Sequence, residues 1–133
     1  MNETERTRRR VVTASTRRPP TTLQAIRVVF EEDREADASY LEENEFKSRL
    51  AEYKRGEFKF VYVQAEADVV IAGIGQRLVS GGRLEIESDT EEALLDEMIA
   101  EEWESLRNVL KTVGVPTEQL PLAVKRGWIE WRT

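Results

Sequence analysis

Q-R-L-V-S-G-G-R-L-E-I-E-S-D, running from Gln76 to Asp89, is the stretch on which the fold turns. Two short β-favouring runs, Gln76–Ser80 and Arg83–Glu87, flank Gly81-Gly82, a pair that supplies the positive φ a tight reversal needs. The spacing predicts a hairpin. The Ser88-Asp89-Thr90 cluster beyond it marks a helix start, with Asp89 or Thr90 placed to cap it.

Beyond that start, the spacing predicts a helix from about Thr90 to Val113. Leu94, Leu95, Met98, Ile99, Trp103, Leu106, Val109, Leu110 and Val113 recur there at helical intervals, Gly114 ends the run and Pro116 prevents continuation. Upstream, Phe58–Ile71 alternates at period two. Val61, Val63, Ala65, Ala67, Val69 and Ile71 form the expected core face, and the opposite face begins aromatic and turns polar. Gly73 and Gly75 mark a bend after it. A helix is expected over Ser39–Arg55, with Ser39 and Glu42 spaced as a capping box and Gly56 as its stop. Leu23–Phe30 reads as the first strand, and the acidic Glu31–Asp37 as a loop.

The order is β-α-β-β-β-α. It predicts an α+β domain, a small antiparallel or mixed sheet covered by two helices, over residues 23–114. Residues 1–22 are expected to form a disordered Arg-rich arm, and 115–133 a Pro- and Trp-containing C-terminal extension.

Composition narrows the chemistry. The 133-residue chain has no cysteine and no histidine, which removes disulfides, thiolate nucleophiles, the commonest general base and the commonest zinc ligand. No apolar run approaches a membrane span, and the Arg-rich start lacks the apolar stretch of a signal peptide, so a soluble cytoplasmic protein is expected. The net charge of -6 conceals segregation: residues 1–21 carry +4, residues 31–45 carry -7, and residues 85–104 carry ten acids and no base.

Ala65-Glu66-Ala67-Asp68-Val69, then Gln76, Ser80-Gly81-Gly82 and Ile86-Glu87-Ser88-Asp89, together resemble a pattern found in small bacterial proteins frequent on phages and plasmids. In that family, which has no assigned activity, the pattern is A-x-A-x-V, then Q-x-x-x-S-G-G-L-W-G-I-E-S-D, then an acidic amphipathic helix. The match covers about residues 50–114. Arg83-Leu84-Glu85 stands where the pattern has Leu-Trp-Gly, so its tryptophan has no counterpart here. The resemblance implies the fold and a mobile-element origin, and carries over no catalytic residue.

Several constellations of side chains bear on chemistry. Glu66 and Asp68 on one strand, with Glu85 and Glu87 on another, would offer four oxygen ligands to Mg²⁺ or Mn²⁺ if the strands were neighbours. The plainer reading is a solvated face on which Lys59, Arg77 and Arg83 pair with these acids. Ser80 lacks a base to activate it, and Ser-Gly-Gly is more often a tight turn.

The acidic helix is the most distinctive feature. Acids in its first turn complement the helix dipole, which leaves the later Glu97, Glu101, Glu102 and Glu104 unexplained. These, with Glu42, Glu43 and Glu45, are the expected contact residues for a protein partner with a basic surface. The alternative is nucleic-acid binding by Arg6, Arg8, Arg9, Arg10, Arg17 and Arg18 of the arm. Trp128 and Trp131 either dock the tail as an edge strand or anchor a partner or second subunit. The resulting expectation is a non-enzymatic acidic interaction protein with no cofactor and no membrane association. It would block a nucleic-acid-binding surface as a mimic, in the manner of an anti-defence or anti-CRISPR inhibitor. An accessory protein using the arm ranks second, and a metal-dependent enzyme third.

Overall fold

The structure is a computed structural model that describes residues 21–132. Its elements are β1 (Thr21–Glu32), α1 (Lys47–Lys54), β2 (Phe60–Ile71), β3 (Ile74–Val79), β4 (Arg83–Glu87), α2 (Glu92–Thr112) and β5 (Ile129–Arg132). The protein is an α+β domain built on one five-stranded mixed sheet. β2 is its spine: β1 pairs along one side, and β5 adds parallel to β1 beyond it. On the other side, β3 pairs with the second half of β2 and β4 with the first.

The period-two pattern of β2 sorts the two faces as expected. Val61, Val63, Ala65, Ala67 and Val69 join Val28 and Phe30 under Ile99, Trp103, Leu106 and Leu110 of α2, forming the main core. On the reverse face Phe58 and Phe60 pack with Leu41, Tyr40, Phe46, Leu50 and Tyr53 in a second cluster under α1. α1 covers one end of that face.

Three local expectations are corrected. Gln76–Ser80 and Arg83–Glu87 do not form a hairpin with each other, because both pair with β2, one after the other along its length. The true hairpin joins β2 to β3 through Ala72-Gly73, with φ of 49° and 83°. That is the pair of positive values a two-residue hairpin demands. The Ser39–Arg55 helix is broken into two 3-10 turns, Ser39–Glu42 and Asn44–Phe46, followed by the shorter α1. Extended backbone at Glu43 (ψ 146°) interrupts it, and the capping box does not form; Ser39 N–H donates instead to Asp37 Oδ1 at 2.9 Å. At α2, Glu91 occupies the cap position and no side chain caps it.

The stops are as read: Gly56 and Gly114 both adopt positive φ. No helix among the described residues is long and apolar enough to cross a membrane.

Candidate interaction surface

The Ser80-Gly81-Gly82 segment carries the chain from β3 to β4 across the flank of α2. Ser80 is buried, and its Oγ accepts from Ala65 N–H (2.9 Å) while donating to Glu102 Oε1 (2.7 Å). The same Glu102 oxygen accepts from Gly82 N–H at 2.8 Å, and Gln64 Nε2 donates to the Ser80 carbonyl. Glu102 therefore works inside the fold. Its carboxylate satisfies a buried hydroxyl and a backbone N–H that would otherwise be costly to desolvate. It leaves the set of expected partner contacts.

Ile86-Glu87-Ser88-Asp89 is structural in the same sense. Ile86 joins the main core, and Ser88 Oγ accepts from Lys59 N–H at 2.9 Å. Arg49 of α1 reaches Glu87, Asp89 and Glu52 together while lying over the Phe58 ring, its centroid 3.8 Å away. Hydrogen bonding to Asp89 above all holds the guanidinium pKa up, and the Asp89 carboxyl is correspondingly lowered.

The four carboxylates weighed as metal ligands do not converge. Glu66 lies opposite Val79 of β3, whereas Glu87 lies opposite Phe60, six positions away along β2. At about 3.3 Å per residue that is roughly 20 Å. Glu66 and Asp68 are instead gripped by Arg27 from β1, at 2.7 and 2.9 Å. Arg77 adds a contact to Asp68, and Arg132 one to Glu66. The bond to Arg27 is the main cause of an Asp68 pKa lowered to about 2. Nearby, Tyr62 donates to Glu31, which with burial pushes its pKa up to about 12. Among the described residues no group of three or more acidic, histidine or cysteine side chains is arranged to hold a metal ion.

Of the three expected pairings with these acids, only Arg77 to Asp68 is present; Arg83 reaches Glu101 on α2 instead, at 3.4 Å, and Lys59 pairs with none of them among the described residues. Arg27 and Arg49, which organise both clusters, were not singled out from sequence. Each lies on an element read for its apolar pattern.

On α2 the acids divide by flank. Arg126 of the tail pairs with Glu92 and Asp96. Glu97, Glu101 and Glu104, at i, i+4 and i+7, share the outer face and are exposed. Glu101 has the single contact to Arg83, and Glu97 and Glu104 have no cationic partner among the described residues.

Glu42, Glu43 and Glu45 are exposed too, but in the turns before α1, on the reverse side of the sheet. The two acidic blocks do not merge into one surface.

The tail docks back. Trp131 stacks on Phe30 with centroids 4.3 Å apart and planes 10° from parallel, yet remains 48% exposed. Trp103 Nε1 donates to the Pro121 carbonyl at 3.0 Å, tying the segment to α2, and Trp128 is half-buried with Lys125 over its ring. Arg6, Arg8, Arg9, Arg10, Arg17 and Arg18 lie outside the described residues. No family model, curated protein or solved structure matches the chain.

Proposed function

We infer that this chain is a non-enzymatic acidic interaction protein of mobile-element origin. It occupies a basic, nucleic-acid-binding surface of a host factor, with a defence nuclease or a CRISPR surveillance complex as the target class. The supporting observation is the outer stripe of α2, where Glu97, Glu101 and Glu104 stand exposed on a rigid 21-residue helix. Their Cα positions rise by about 6 and 4.5 Å along the axis. One strand of a duplex presents a phosphate every 3.4 Å or so. A patch of Lys and Arg built for phosphates can therefore engage several of these carboxylates at once. The remaining acids of α2 are occupied by Arg126 and by the Ser80 loop, which leaves this stripe for a partner.

Capture from native host extract on the immobilised protein tests the reading. The wild-type chain should retain a partner that added duplex DNA displaces. The triple variant E97K/E101K/E104K should lose it with an unchanged circular dichroism spectrum. Retention by the reversed variant, or a partner that DNA does not displace, refutes the mimicry.

A further inference from the structure

The sheet has three open edges, and the chain protects two of them. β4 is distorted at Glu85, whose φ of 59° accompanies a register break opposite Val61 and Val63, and it carries Arg83, Glu85 and Glu87. β5 is four residues long and includes Glu130 and Arg132. Short, bulged or charged strands are the ordinary devices against edge pairing. β3 has only one of them, the charge of Arg77, and that guanidinium is paired with Asp68 of its own sheet at 3.3 Å. It is six residues, Ile-Gly-Gln-Arg-Leu-Val, with no proline, no lysine and no bulge, and its outer side is unpaired among the described residues. Ile74 is 63% exposed and Val79 43%.

We propose that β3 pairs antiparallel with β3 of a second copy, joining two sheets into one about a two-fold axis at Gln76. The backbone register permits it. Ser80 N–H bonds inward to the Ala65 carbonyl of β2, so the even-numbered positions of this strand direct their backbone groups to β2. Gly75, Arg77 and Val79 present theirs outward. With Gln76 on the axis, Gly75 and Arg77 of one copy exchange hydrogen bonds with Arg77 and Gly75 of the other. Ile74 then faces Leu78 of the second copy on the helix side of the sheet, an apolar cross-strand pair that covers the exposed isoleucine. Shifting the axis to Arg77 would set two guanidinium groups opposite each other.

The flank of α2 above this edge also exposes apolar side chains. Val109 and Leu94 lie two turns either way from Glu102, the residue that touches the β3–β4 connection, and are 37% and 44% exposed. The pairing stands independently of the function proposed for the acidic stripe.

Light scattering on the full chain at about 100 µM should give twice the 15.4 kDa chain mass. Ile74→Lys places a charge on the edge at an exposed position, and should return a single-chain mass with an unchanged circular dichroism spectrum. Geometry supplies a second readout, because the chain has no cysteine. Facing Gln76 residues would form a non-hydrogen-bonded pair with Cα atoms about 4.5 Å apart, inside the range a disulfide bridges. Gln76→Cys should therefore cross-link rapidly under diamide, and Gln119→Cys, exposed beside β1 on the far side of the sheet, should not. A single-chain mass for the wild type, a dimer that survives Ile74→Lys, or Gln76→Cys cross-linking no faster than Gln119→Cys overturns the pairing.

Discussion

Arg27 reaches both Glu66 and Asp68 from the middle of β1, and this one side chain makes the polar half of the sheet's reverse face tolerable. Glu66 is only 8% exposed, and an anion so placed requires a paired cation. Arg27→Met should cost about 3 kcal/mol, as expected for stranding one partner of a buried pair. The acid response follows from Asp68. Its carboxyl falls from an ordinary value of 3.8 to about 2 in the folded chain, chiefly through the hydrogen bond to Arg27. A carboxylate with a depressed folded pKa stabilises the fold above its unfolded pKa and ceases to as pH falls through its folded value. The contribution of Asp68 should thus be complete at pH 5 and fade between about pH 4 and pH 2. Melting temperatures of wild type and Asp68→Asn should differ at pH 5 and converge near pH 2. Parallel curves would remove Asp68 from the account. None of this was legible one residue at a time: the alternation of β2 placed Glu66 and Asp68 on one face, but their partner lies some 40 positions upstream. The same holds for Glu102, whose hydrogen bond to Ser80 depends on how α2 crosses the β3–β4 connection.

The edge strand β5 shows how an element with few residues can be held by what it covers. Its four residues pair parallel with Val28–Glu31, and Trp131 supplies a stacked ring for Phe30, itself 1% exposed. Trp131→Ala removes that lid. Because the indole is only half covered, the cost should be about 1–2 kcal/mol, below the range for a fully buried tryptophan. A thermal melt would then fall by roughly 5–10 °C in a domain of this size. An unchanged melt would mean that β5 adds nothing to the sheet. The docking of the tail was one of two outcomes open to sequence reasoning, since a tryptophan pair signals burial without saying against what. The hairpin was misplaced for a different reason. Gly81-Gly82 looks like a reversal, whereas Ala72-Gly73 carries only one glycine, and nothing in an alanine announces the φ of 49° it adopts. The long apolar period of α2 and the two-sided pattern of β2 were legible because burial alone dictates them.

The sheet separates two acidic surfaces that the linear charge pattern groups together. α2 packs against the Val61–Val69 face, and the turns bearing Glu42, Glu43 and Glu45 lie over the Phe58 and Phe60 side. The sheet and a packed side-chain layer on each of its faces stand between them, which sets the two surfaces farther apart than the roughly 8–10 Å Debye length at physiological salt. A partner seated on one surface is therefore largely insulated from the other, and the contributions of the two blocks should be separable. Reversing Glu42, Glu43 and Glu45 to lysine removes as much negative charge as reversing Glu97, Glu101 and Glu104, so net charge cannot distinguish the two variants. If contact on α2 governs capture, the first variant should hold the partner with dissociation close to wild type and a modest change in association rate. The second should fail to hold it. Measuring both against the same purified partner at low and physiological salt separates long-range attraction from docking. Equal losses in the two variants would mean that overall charge, and not a face of α2, governs binding.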